Sequence, residues 1–390
     1  MVATTGQPME LLEPRMLLSA TGLVIVPTFD KSITGDRDAR AIEAGINAAI
    51  STLEADFSTP ITVKIYFQEG PGLGTSTTSH YTVSYTDFRA ALAADASDPN
   101  VATALAYLPR QRNNPANGST TIDMTTANAR ALGFRTHTGF DSTVILNTAD
   151  MNLGRTTIDR TKYDLQDVAT HELDEVLGAG SDLDNVVAGT QSLGDMIMPE
   201  DLFRYSSKGH RSYTIDTDAT AYFSIDGGRT NLDQFNQAQT DEDHGDWYSA
   251  DEDQFPQVQD AEGTPGGISY VNIELTALNA IGYTPSFSLG TGVVSGEVFD
   301  DAAGNGRYNR SDAILSGWTL EALQDGQVVT TSISSAAGYQ LTGLADGTYT
   351  IEAVPQSGFT QTTTPASFTV TINGIKDVIT GKYFGEQSTS

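Results

Sequence analysis

Ala169-Thr170-His171-Glu172-Leu173-Asp174-Glu175-Val176-Leu177-Gly178 is the stretch on which the reading of this chain turns. Leu165, Val168, Ala169, Leu173, Val176 and Leu177 recur at three- and four-residue intervals, so residues 163–177 are expected to form one amphipathic helix. Asp164 suits its N-cap and Gly178 its stop. On that helix His171 and Glu175 stand one turn apart, with Glu172 one position round, so an imidazole and a carboxylate project side by side.

The pattern H-E-x-x-H uses such spacing to bind zinc through two histidines, with the glutamate acting on a metal-bound water. Here it reads H-E-x-x-E. Carboxylate oxygen is an acceptable zinc ligand, so His171 and Glu175 are the expected metal ligands and Glu172 the expected catalytic base. The same pair on a solvated helix face is also an ordinary i,i+4 contact worth about 0.3 kcal/mol. Against the longer pattern H-E-x-x-H-x-x-G-x-x-H, His171, Glu172 and Gly178 remain, while Glu175 and Ser181 occupy the other ligand positions. The third ligand is therefore open among Asp182, Asp184, His210 and His244, with His244 favoured because the acidic run 241–246 surrounds it. His80 and His137 lack metal-like spacing and read as surface or core polar residues.

Composition sets the outer limits. The 390 residues allow two or three domains, and a 38% apolar fraction suffices for real cores. Fifty acidic residues against 21 basic ones give a net charge of −29, which repels phosphate backbones and argues against a nucleic-acid partner. With no cysteine, disulfides and thiolate metal sites are excluded, and abundant acidic groups beside Gly, Thr and Asn suit an extracellular protein that uses calcium. No run approaches the roughly 18 consecutive apolar residues of a membrane span.

Along the chain, residues 1–22 hold Leu12-Glu13-Pro14-Arg15-Met16-Leu17-Leu18. This resembles the Leu-Glu-Pro-Arg segment with paired leucines that opens many surface or exported proteins of planctomycete-type bacteria, which implies export to the cell surface or beyond. Helices are expected over 36–57, 86–92, 101–108, 125–132 and 274–281, and strands over 23–26, 61–67, 81–85 and 142–148. Residues 286–290 read as a linker. Beyond it the texture changes to short strands between turns over 291–386, a β-sandwich pattern, with a tail at 387–390.

The segments 23–33, 61–67, 84–92, 200–205, 221–228, 245–247 and 274–283, with the His171 motif, resemble a family of secreted bacterial metalloproteases of zincin type. The resemblance spans nearly all of residues 23–285 and implies an α+β zincin-like, metzincin-like domain that hydrolyses peptide substrates with a zinc-bound water. Residues 291–386 resemble the B-type repeat of serine-aspartate-rich surface proteins, a calcium-stabilised prealbumin-like module akin to Cna B-type domains. That resemblance implies a calcium loop at Asp300, Asp301, Asn305, Asn309 and Asp312, although Ala303 and Asn309 replace an Asn and an Asp. A plain Asx turn fits the same residues. The competing expectation for the whole chain is a non-catalytic cell-surface, matrix or adhesion protein on the same scaffold.

Overall fold

A computed structural model of the chain describes residues 22–389 except 95, 138, 182, 184–196, 238–242, 250–255, 270–272, 287–289, 291, 310, 336–337 and 374–377. The Leu-Glu-Pro-Arg segment, Asp182 and Asp184 lie outside the described residues.

The first part is layered α+β. Strands β1 (Val24–Phe29), β2 (Thr62–Glu69), β3 (Gly74–Thr78), β4 (His80–Ser84), β5 (Thr121–Thr125) and β6 (Ser142–Leu146) alternate with helices α1 (Lys31–Thr34), α2 (Ala39–Asp56), α3 (Tyr85–Ala94), α4 (Pro99–Tyr107) and α5 (Thr126–Ala131). β1, β2 and β6 run parallel, and β3 pairs antiparallel with β6 as the sheet edge in the order β1-β2-β6-β3. β4 pairs with β5. The short pair β7 (Met151–Asn152) and β8 (Tyr163–Asp164) then leads into α6 (Leu165–Leu177).

The start and stop of α6 follow the sequence closely. Asp164 accepts the Asp167 N–H at 3.0 Å, and Arg155 bridges the Asp164 and Asp167 carboxylates at 2.9 and 2.5 Å. Gly178, at φ 122°, closes the helix where an L side chain would be strained. Leu165, Ala169, Leu173, Val176 and Leu177 are buried in one core with Ile42, Ile46 and Leu53 of α2 and Val63, Ile65 and Phe67 of β2. Each large apolar side chain contributes about 1.5–3 kcal/mol by leaving water. Two glycines permit the close packing of this helix: a Cβ at Gly45 would meet Leu165 at 2.7 Å, and one at Gly74 would collide with the Glu172 carboxylate and meet Val168 at 2.8 Å.

Beyond α6 the strands are short: β9 (Arg204–Ser207), β10 (His210–Arg211), β11 (Tyr222–Phe223) and β12 (Asp233–Gln234) form one sheet, and α7 (Ile273–Ala280) follows. Phe203, Phe223, Phe235 and Trp247 form an aromatic cluster with centroid spacings of 5.0 to 6.2 Å, which anchors the long connections.

From Gly292 on the described chain is all β. Its strands are β13 (Gly292–Gly296), β14 (Val298–Asp300), β15 (Thr319–Gln324), β16 (Gln327–Ile333), β17 (Tyr339–Leu344), β18 (Gly347–Ala353), β19 (Phe359–Gln361), β20 (Ser367–Ile372), β21 (Val378–Ile379) and β22 (Phe384–Ser388). They make sheets in the orders β17-β13-β21, β14-β22-β19 and β16-β15-β18-β20. Val294, Leu341, Leu320, Tyr349, Ile351 and Phe384, drawn from all three sheets, share a second buried cluster, which is the arrangement of a β-sandwich. Among the described residues no helix is long and apolar enough to cross a membrane.

Candidate metal centre

The site is built on the face of α6 that meets the sheet edge. His171 Nε2 lies 3.7 Å from Glu175 Oε1 and 3.7 Å from Asp246 Oδ1. The three potential ligand atoms all fall within 4.8 Å of one another. Ligand bonds of about 2.0–2.2 Å in tetrahedral geometry place neighbouring donor atoms about 3.4 Å apart, so the spacing suits one small divalent cation.

Two of the candidate ligands are held from behind. The Nδ1 of His171 is 2.9 Å from the Val258 carbonyl oxygen, which fixes Nδ1–H as the donor and turns Nε2 toward the carboxylates. Ser76 on β3 donates to Glu175 Oε2 at 2.9 Å, leaving Oε1 on the His171 side. Asp246 is only 3% exposed, and its Oδ1 accepts no hydrogen bond within the described protein. A buried carboxylate oxygen without a donor is costly unless a cation or proton meets it.

The loop bearing Asp246 is tightly fixed. Its carbonyl accepts the Asn236 N–H at 2.7 Å, and the adjoining Trp247, 1% exposed, donates its N–H to the Gln259 carbonyl at 2.7 Å. Arg204 lies fully buried on β9, where it donates to the His244 carbonyl and stacks 4.0 Å over Phe235. Gly245 lets this loop close on Gly180, since a Cβ there would stand 2.5 Å from the Gly180 Cα. Ser181 in turn donates to Asp201 at 2.6 Å.

Electrostatically the site is a nest of carboxylates around one imidazole. Burial works against the His171 cation, yet the Asp246 and Glu175 carboxylates outweigh it and hold the imidazole well above its ordinary range. Burial drives Asp246 well above the usual carboxylate range, with His171 opposing. Burial, then the charge of Glu175, pushes Glu172 up to about 9. Glu172 Oε2 is also without a hydrogen-bond partner. The residues therefore fit a divalent cation, whose charge would stabilise the Asp246 and Glu172 carboxylates and take the place of the His171 proton.

The two expected ligands on α6, His171 and Glu175, lie side by side, while the third converging group is Asp246, two residues beyond the favoured His244. His244 lines the same cavity, and its backbone is what Arg204 holds. His210 is exposed on β10, and His137 is an exposed residue whose Nδ1 accepts the Gly139 N–H at 3.1 Å. His80, set aside in the sequence, lines the cavity, with its Nδ1 3.1 Å from the buried Asp123. The only sequence signal for Asp246 was an acidic residue beside a tryptophan anchor. The Val258 contact is made by a backbone carbonyl and leaves no signal.

The cavity beside the triad has a volume of about 730 Å³. Its walls are α6, the edge strand β3 with His80, and the connections carrying Gly180, Gln237 and Asp243.

In the β-sandwich, Asp301 accepts the N–H groups of Asn305 at 3.1 Å and Gly306 at 2.6 Å, and Asp312 accepts that of Asn309 at 2.7 Å. Asp301 is buried, which opposes its charge, yet these backbone donors hold its carboxyl below the usual range. Asp300 is half-buried.

No family model and no curated protein matches the chain. Solved structures that match include the major pilin subunit BcpA of Bacillus cereus, at 12% identity, covering 28% of this chain and 32% of the pilin with a TM-score of 0.18. The shaft pilin SpaA of Lactobacillus rhamnosus GG matches at 12% identity, over 26% of this chain and 51% of its own, with a TM-score of 0.19. The pilus protein RrgB of Streptococcus pneumoniae matches at 13% identity, over 26% of each chain, with a TM-score of 0.19. The chain thus spans about a quarter to a half of the length of these structures.

These findings correct the assignment of residues 23–285 to zincin-type metalloproteases. Neither a family model nor a curated protein supports a zincin or a hydrolase. The physical reason is that His and Glu at i and i+4 define ligand geometry on any helix. They describe a site and do not define a family.

Proposed function

We propose that this chain is an exported cell-surface or extracellular protein that binds a divalent cation between His171, Glu175 and Asp246 and acts by binding rather than by cleaving peptides. The observation that carries this reading is the convergence of three donor atoms, one from an imidazole already oriented by Val258 and one from a buried Asp246 oxygen lacking any donor. One nitrogen and two carboxylate oxygens suit zinc, with manganese as the competing metal because two of the three donors are hard oxygens. Glu172 sits beside them with its carboxyl pushed up by burial, and cation binding in such a nest releases protons. Export is supported by the Leu-Glu-Pro-Arg segment.

Element analysis of protein purified without chelators, followed by zinc and manganese titration, tests the proposal. About one cation per chain is expected, lost in His171→Ala and Asp246→Asn and kept in Asp243→Asn. Metal-free protein that takes up neither ion at micromolar concentration overturns it.

A further inference from the structure

The cavity has a second polar pole opposite the triad. Ser76, Thr78 and His80 follow one another at the two-residue period of an extended chain, and all three line it. Ser76 Oγ donates to Glu175 Oε2 at 2.9 Å and lies 3.4 Å from Thr78 Oγ1. At the far end Nδ1 of His80 is directed at Asp123, which is 3% exposed and also accepts from Thr82 at 2.9 Å. Ser76 thus stands beside the candidate ligand Glu175, Thr78 donates onward to Ser142 at 3.0 Å, and His80, oriented by a buried carboxylate, closes this side of the cavity.

The remaining walls narrow the ligand class. Among the described residues no Lys or Arg lines the cavity, so a phosphate or sulfate would find no guanidinium or ammonium partner there. Two of the carboxylates that do line it are at least nine-tenths buried and carry an oxygen without a hydrogen-bond partner: Glu172 Oε2 and Asp246 Oδ1. Three protein ligands leave a zinc or manganese ion open to further oxygen donors. A volume of about 730 Å³ is that of a small-molecule site.

We infer that the cavity binds a neutral polyhydroxylated ligand of the carbohydrate class, with hydroxyl oxygens at the cation end and a distal hydroxyl at His80. This rests on the cation site proposed above. Hydroxyls both donate and accept, which matches a wall offering Ser, Thr and His groups beside carboxylates.

The test is calorimetric titration of zinc-loaded full chain with mannose, galactose, N-acetylglucosamine and sorbitol, with tetra-alanine as a neutral peptide probe. At least one polyol should bind with a millimolar or lower Kd, and chelator should abolish that binding. His80→Ala should weaken it about tenfold while leaving zinc stoichiometry and affinity unchanged, and Thr78→Val should weaken it less. Full zinc loading with no polyol binding, preference for tetra-alanine, or polyol binding that persists in chelator overturns the inference. Failure to load zinc is a separate result, because it removes the cation site itself.

Discussion

Nδ1 of His171 lies 2.9 Å from the carbonyl oxygen of Val258, 87 residues further along the chain, and this contact couples the candidate ligands on α6 to a distant loop. The same loop meets the Asp246 segment through the bond from Trp247 N–H to the Gln259 carbonyl. A cation that fixes His171 and Asp246 therefore also fixes residues 256–261. Zinc should slow amide exchange in peptides covering that loop, read by hydrogen-exchange mass spectrometry. Identical exchange with and without bound zinc would show that the coupling is absent.

Gly74 brings the edge strand β3 against Glu172 and Val168. Gly74→Ala should cost about 1–3 kcal/mol through overpacking and push β3 away from α6. Because Ser76 on that strand supports Glu175, zinc affinity should fall with stability. Denaturant unfolding and zinc titration check both effects, and a variant with wild-type values in each would refute this account of the packing.

Glu386 on β22 is 2% exposed, and burial pushes its carboxyl up from 4.5 to about 7. The folded chain then keeps this proton up to about pH 7 while the unfolded chain loses it near pH 4.5. Its contribution to stability therefore declines as pH rises from about 4.5 to 7 and is level above. Glu386→Gln should remove that decline. Melting curves of both proteins between pH 4 and 8 in chelator decide the point, and parallel pH profiles would contradict it.

Asp301 supplies the acceptors for two backbone N–H groups of its own turn. Asp301→Ala leaves both without that partner and should destabilise the β-sandwich by about 1–3 kcal/mol. Millimolar calcium is expected to raise the melting temperature of the wild type and not of the variant. Loss of stability in the variant without any calcium response would leave Asp301 as a turn residue alone.

What was legible in the sequence was local. The apolar spacing on α6 and its flanking Asp164 and Gly178 gave the helix nearly to the residue, and α2, β2 and β6 emerged from periodicity in the same way. The helix expected over 86–92 starts at Tyr85, with Ser84 Oγ accepting the Asp87 N–H at 3.0 Å. The site was half legible, because His171 and Glu175 are tied by helix geometry. Asp246, Ser76 and the Val258 carbonyl are brought in by tertiary packing, which leaves no fixed spacing to read. His80 belongs to this second group, since its importance lies in facing a cavity formed by segments distant in sequence.

The separation of the ligands along the chain has one more consequence. Glu175 and Asp246 enclose a loop of about 71 residues, in a protein with no cysteine to cross-link it. A cation held there acts as a clasp whose closure would oppose unfolding on the scale of a disulfide spanning a loop of that length, about 4 kcal/mol. Unlike a disulfide, such a clasp is indifferent to reductants and opens to chelators and acid, so the durability of this chain outside a cell would follow the metal content and pH of its surroundings.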